Sequence, residues 1–234
     1  MYRPACHDLA LTTSLGNATV HYFEAGNTSK PTVLLLHEFP SSSNQFRDLI
    51  PLISDSYHVL APDLSVFNLT KVTSDFVYTS DDLTTIIATW VLALNITSHA
   101  VYILDYGAPV GLRLAVHNLD HIAAIISQIG NAYDSGFGLE GKEKPNRQLD
   151  LFYDERNNLS FYLKAHEYFR TSQVPLLGAW GKGDPAFVPV GTEVITKDLP
   201  NAQINLLNAG HFALETKRWE IARLMKEFLK TVHF

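Results

Sequence analysis

Ala100-Val-Tyr-Ile-Leu-Asp105-Tyr-Gly-Ala-Pro-Val-Gly111 is the stretch on which the fold turns. Its first five residues are apolar without interruption, the pattern of a strand buried on both faces, as in a parallel sheet between helix layers. The chain then meets Asp105, turns sharply through Tyr106 and Gly107, and enters a helix expected to run through Asn118. Gly107, Ala108 and Gly111 put almost no bulk beside the turn, so strand and helix can pack closely around it. Such a turn holds one side chain, here the Asp105 carboxylate, out at the sheet's edge as a nucleophile, next to the free N–H groups of the helix start. An aspartate in this place also serves as a plain helix N-cap, and the stretch alone does not separate the two roles.

Outward from this point strand and helix patterns alternate. Upstream, Asn17–Glu24 alternates in polarity, Gly26-Asn27 breaks the chain, and Thr32–His37 is continuously apolar. A turn rich in Pro and Ser follows, then an expected helix over Asn44–Ile53, a buried strand over Tyr57–Pro62, a loop from Asp63 to Thr79, and a helix over Ser80–Leu94 capped by Ser80 or Asp81. Downstream lie strands at Ile122–Ile129, Pro175–Trp180 and Gln203–Leu207, and an amphipathic helix from Glu215 to Val232. This alternation implies the α/β class, a mostly parallel sheet with helices on both faces. At 234 residues the expectation is one domain spanning 1–234. Between Gly130 and Pro175 the texture changes. Residues 131–174 hold a Gly-rich, charged stretch and then an aromatic helix expected over Leu149–Phe169, the composition of a short lid over the sheet's rim.

Three polar residues follow the C-terminal ends of expected strands: Asp105, Asp184 in Trp180-Gly-Lys-Gly-Asp-Pro185, and His211 in Asn208-Ala-Gly-His-Phe212. In an open parallel sheet that edge is where ligands bind. A histidine oriented by a carboxylate can take a proton from water and return it, which makes His211 and Asp184 a candidate base and its partner. The order nucleophile, acid, histidine belongs to one fold family. His37 ends its strand and is followed by Glu38-Phe39-Pro40, so N–H groups of this loop could face the nucleophile as an oxyanion hole. The histidine itself reads as a brace. His117 and His121 are four residues apart but lack the glutamate of a zinc-protease helix and span a helix end, so no metal site is expected.

With these residues in view, the chain resembles the epoxide hydrolase and haloalkane dehalogenase branch of the α/β-hydrolases over nearly its whole length. The matching stretches are His37-Glu-Phe-Pro40 with Ser41–Ser43, Ala61-Pro-Asp-Leu64, Asp105-Tyr-Gly-Ala-Pro-Val-Gly111, Trp180-Gly-Lys-Gly-Asp-Pro185 and Gly210-His-Phe-Ala-Leu-Glu215. The resemblance implies an α/β-hydrolase fold and an aspartate nucleophile. In its chemistry Asp105 attacks an electrophilic carbon, His211 oriented by Asp184 activates water against the resulting ester, and the N–H groups of Phe39 and Tyr106 hold the oxyanion. Haloalkane dehalogenases of this type commonly hold the halide between side-chain N–H donors. Neither Tyr106 nor Phe39 offers one, which turns the expectation towards epoxide hydrolysis. There, lid tyrosines protonate the ring oxygen, and Tyr153, Tyr162 and Tyr168 are the candidates, Tyr153 first. His37, Glu38 and Tyr153 are the candidate substrate contacts.

The sequence departs from the family in three places. Glu38 stands where a glycine is usual, Ser65-Val66-Phe67 replaces the usual Pro-Gly turn, and residues 131–174 are shorter than the usual helical cap. A glutamate in the oxyanion loop either crowds a developing anion or points to solvent. A reduced lid would leave an ester intermediate more open to water. Dehalogenation, a lyase reaction or a rearrangement in a biosynthetic pathway are the alternatives within the fold, and an impaired or non-catalytic ligand-binding homologue is the alternative outside enzymology.

Composition sets the remaining expectations. A formal charge of −6 disfavours a nucleic-acid partner, which would need a basic face, and a small-molecule substrate is expected instead. The single Cys6 calls for no oxidising compartment. With no signal-like apolar stretch at Met1–Asp8 and no membrane-length apolar run, a cytoplasmic location without membrane contact is expected. Nothing in the sequence requires a cofactor or fixes an oligomeric state.

Overall fold

The computed structural model describes residues 4–65, 67–117, 121–138 and 150–234, with the side chains of 150–157 outside the description. Eight strands, β1 (Ala5–Thr13), β2 (Gly16–Ala25), β3 (Thr32–Leu36), β4 (His58–Pro62), β5 (His99–Leu104), β6 (Ile122–Gln128), β7 (Leu176–Gly181) and β8 (Gln203–Leu207), form one sheet in the order β1-β2-β4-β3-β5-β6-β7-β8. The β1–β2 and β2–β4 pairings are antiparallel. From β4 through β8 the pairings are parallel, as an alternating strand–helix chain requires.

The continuous apolarity of the central strands has a direct structural cause. Strands β3, β4, β5 and β7 are buried at every position, because alternate residues serve two cores. Leu34, Leu36, Leu60, Val101 and Ile103 face one core, which they share with Trp90, Val110, Leu114, Phe161 and Phe169. Val33, Leu35, Val59, Tyr102 and Leu104 face the other, with Phe46, Ile221, Met225 and Phe228. The helices that supply these layers are α2 (Ser80–Ala93), α3 (Gly107–His117) and α4 (Asp150–Ser172) on the first face, and the single turn α1 (Ile50–Ile53) and α6 (Ala213–Thr231) on the second. A further turn, α5 (Val190–Glu193), lies between β7 and β8. Arg113 of α3 pins neighbouring helices together: Nε donates to Asp81 at 2.5 Å and a guanidinium N–H to Asn158 at 2.9 Å, while its charge sits 4.3 Å from the Phe161 ring centre.

Several elements differ from the sequence expectation. Strand β1 was not anticipated: its side chains are mostly exposed, so it carries no continuous apolar signal. The helix expected over Asn44–Ile53 is two separate turns, a 3₁₀ turn at Ser43–Phe46 and α1. Pro51 has no N–H to give to a preceding turn, which is tolerated only in the first turn of a new helix. The cap of α2 is Thr79, whose hydroxyl accepts from the Asp82 N–H at 3.1 Å, rather than Ser80 or Asp81. Asn118 and Leu149, expected helix ends, lie outside the described residues.

Candidate active site

The chain passes from β3 to β4 on one side and from β5 towards β8 on the other, so the sheet's order reverses between β3 and β5. The loops leaving the C-terminal ends of these two strands diverge there, and the crevice they leave is the usual ligand site of such a sheet. His37, Glu38 and Phe39 leave β3, and Asp105 leaves β5.

Asp105 has φ +48°, a left-handed conformation costly for a non-glycine residue. The turn that enforces it depends on small neighbours. A Cβ on Gly107 would run into the Leu36 carbonyl, and one on Gly111 into Ile103. The Tyr106 N–H donates to Asp105 Oδ1, and the side chain is nearly enclosed, the residue being 9 % exposed.

The structure brings the other two residues to it. The loop between β8 and α6 carries His211, whose Nδ1–H donates to Asp184 Oδ2 at 2.9 Å, while Nε2 stands 3.8 Å from Asp105 Oδ2. Asp184 is fixed in turn, its Oδ1 accepting from the Ala186 and Phe187 N–H groups at 2.9 Å each. Phe187 stacks on the imidazole with ring centres 5.8 Å apart. Asp184, His211 and Asp105 therefore form one connected line, with the imidazole held in one tautomer by Asp184.

Glu38 does not point to solvent. It is 5 % exposed, its N–H donates to Gln45 Oε1 at 3.2 Å, and its Oε1 accepts from Gln45 Nε2. Burial, then repulsion from Glu38, pushes the Asp105 carboxyl up to about 7, against the opposing pull of His211. Burial likewise raises Glu38 to about 7. Burial acts to lower His211, but the Asp184 hydrogen bond and the charges of Asp184, Asp105 and Glu38 together outweigh it, so its pKa is raised.

His37 is fully enclosed, with Nδ1 donating to the Glu38 carbonyl at 2.8 Å and Nε2 accepting from the Leu64 N–H at 2.9 Å. Both ring nitrogens are thus committed to joining the loops after β3 and β4, and none is left for a substrate. Burial holds its pKa down at about 4, so it is a neutral brace. The Phe39 ring packs against Tyr106 and Phe67, which places the loop beside Asp105. Tyr153 falls in α4, and its side chain lies outside the described residues. Tyr168 sits in the core, whereas Tyr162 lines a cleft with Asp105, Tyr106, Asn131, Phe137, Asn158 and Phe187. Sequence reasoning missed Gln45, Asn131 and Phe187. Only Phe187, three residues after Asp184 in a turn, carried a positional hint.

Among the described residues no group of His, Cys, Asp and Glu could hold a metal ion, and no helix is long and apolar enough to cross a membrane.

An eight-stranded sheet of this order, with an acid on the elbow after β5 and a histidine after β8, defines an α/β hydrolase. The chain belongs to the alpha/beta hydrolase fold family, whose model matches residues 31–140. It is 32 % identical over 256 aligned positions to the uncharacterized hydrolase YNR064C of Saccharomyces cerevisiae, covering 84 % of this chain and 88 % of that protein. Haloalkane dehalogenase 2 of Mycobacterium tuberculosis is 29 % identical over 114 residues, a match that covers 49 % of this chain and 38 % of that protein. The crystal structure of haloalkane dehalogenase DbeA from Bradyrhizobium elkani USDA94 superposes with a TM-score of 0.81 over 98 % of this chain and 99 % of that one. At 18 % identity that likeness speaks for the fold alone.

Proposed function

We propose that this α/β hydrolase is a cofactor-independent enzyme that opens an epoxide on a small hydrophobic molecule through an ester formed on Asp105. The observation that carries the reading is the line Asp184–His211–Asp105, with separations of 2.9 and 3.8 Å. A carboxylate at the elbow displaces at sp³ carbon, which distinguishes this chemistry from that of a serine esterase. Asp105 Oδ2 attacks a ring carbon, the ring C–O bond breaks, and the released alkoxide takes a proton. Tyr162 lines the cleft and gives the proton in this reading. Neutral His211 then takes a proton from water, and the hydroxide adds to the ester carbonyl. The oxyanion forms on Oδ1, which the Tyr106 N–H already holds, with the Phe39 N–H as the second donor. Collapse of this intermediate releases the diol and restores Asp105, and the proton on His211 passes back to the Tyr162 phenolate.

The reading takes residues 1–234 as one α/β domain with a reduced lid at about 131–174. The alignment with the yeast hydrolase runs over 256 positions, more than the 234 residues of this chain, which supports the loss here of segments that the relative retains. Dehalogenation is the second reading, favoured by the haloalkane dehalogenase homologues. Against it stands the lack of side-chain N–H donors at Phe39 and Tyr106. A single turnover in heavy-oxygen water separates the aspartate route from direct attack by water. The ester route places the heavy atom in Asp105, detected by peptide mass, and leaves the product unlabelled. Direct attack labels the product and leaves Asp105 light.

A further inference from the structure

We propose that Glu38 is a positioning residue of this site, a buried carboxyl that decides, by holding or releasing its own proton, when Asp105 is a bare carboxylate and His211 a neutral base. The inference rests on Asp105 and His211 having the roles given above. It stands first on placement. Glu38 lies between the brace His37 and the oxyanion-loop residue Phe39, and Gln45 clamps it at two points, backbone N–H and Oε1. Its Oε2 is enclosed and has no hydrogen-bond partner among the described residues.

The groups that face it come from every element around the site. Asp105 and Tyr102 belong to β5 and its elbow, Asp184 to the loop after β7, His211 to the loop after β8, and Glu215 to α6. Glu215 is already bridged by Arg47 at 2.7 Å, so His211 is the only cation that weighs on Glu38 among these groups. Three carboxyls then share one imidazole in an enclosed space. Like charges buried together resist joint ionisation, and their protons come off as a coupled set.

The consequences follow from which group keeps a proton. With Oε2 protonated, Glu38 is neutral, Asp105 can ionise, and His211 need not be a cation. With Glu38 ionised, its charge keeps a proton either on Asp105, which stops ester formation, or on His211, which stops the activation of water. Burial and then Glu38 are the two largest influences raising Asp105, and Glu38 also contributes to raising His211. A residue that merely shaped the loop through Gln45 would have neither effect.

The test is an infrared titration of the protonated-carboxyl band on the full chain without substrate, comparing wild type, Glu38→Gln and Asp105→Asn. Glu38→Gln keeps the size and the hydrogen-bonding capacity towards Gln45 while removing the charge. The Asp105 midpoint is expected to fall by about one pH unit or more. By reciprocity, Asp105→Asn is expected to lower the Glu38 midpoint by a similar amount, which keeps the test open if Glu38→Gln fails to fold. Unchanged midpoints in either folded variant overturn the proposal. Because no turnover is involved, a protein inactive on every epoxide can still show the coupling, and an active one can still lack it.

Discussion

Replacing Asp105 by Asn removes a buried carboxyl whose pKa is pushed from 3.8 to about 7, chiefly by burial and then by Glu38. Between those values the folded protein holds a proton that the unfolded chain has lost, so the group's contribution to stability is present below about pH 4 and is lost as pH rises through 7. Roughly three pH units at 1.36 kcal/mol each set a ceiling of about 4 kcal/mol, of which the two units above pH 5 account for roughly 2–3 kcal/mol. The raw pH curve would not isolate the effect. His37 and His99 are both lowered to about 4 by burial, and they add stability as pH rises from 4 towards 6.5. Both histidines remain in the variant, so the difference between the two proteins cancels them. Removing the Asp105 charge also lowers His211, whose raised pKa draws on it, which reinforces the same sign. Urea unfolding at a series of pH values should show Asp105→Asn gaining roughly 2–3 kcal/mol over wild type between pH 5 and pH 9. A difference that is flat with pH, or that shrinks as pH rises, would refute the electrostatic account of this site.

Asp184→Asn should leave most of the fold in place while depriving His211 of its anionic partner, so turnover is expected to fall about 10²–10⁴-fold and the His211 midpoint to drop, read by steady-state kinetics and histidine NMR. Gly107→Ala should lose at least about 2 kcal/mol, because its Cβ meets the Leu36 backbone rather than a movable side chain. Gly183→Ala, with only an ordinary contact to the Ala209 carbonyl oxygen at 3.5 Å, should melt within a degree or two of wild type and serves as the control.

The order of strands and helices was legible because the sheet is buried on both faces. A run such as Val33–Leu36 has to be apolar throughout when alternate residues enter two cores. Strand β1 escaped the same reading because it lies at the sheet's edge and buries little. The two turns at Ser43–Phe46 and Ile50–Ile53 passed for one helix because the apolar spacing continues across Pro51, and only the missing N–H separates them. Asp105, Asp184 and His211 were legible as positions, each just past a strand end, although nothing in the sequence gives the 3.8 Å between His211 and Asp105. Glu38 was not. Its two orientations were equally consistent with the sequence, and what fixes it inward is Gln45, a residue seven positions later with no motif to mark it. Of the three candidate tyrosines, only the packing of α4 separates Tyr162 in the cleft from Tyr168 in the core.

The central claim is that Asp105 becomes esterified. Intact-protein mass spectrometry of a His211→Gln variant, incubated with a panel of epoxides and haloalkanes, tests it most directly, since without the base the ester has no route to hydrolysis. The account predicts a mass gain equal to one epoxide, mapped to the Asp105 peptide and abolished when Asp105→Ala is added. A folded His211→Gln protein that acquires no adduct across the panel, or one whose adduct survives the loss of Asp105, would contradict it.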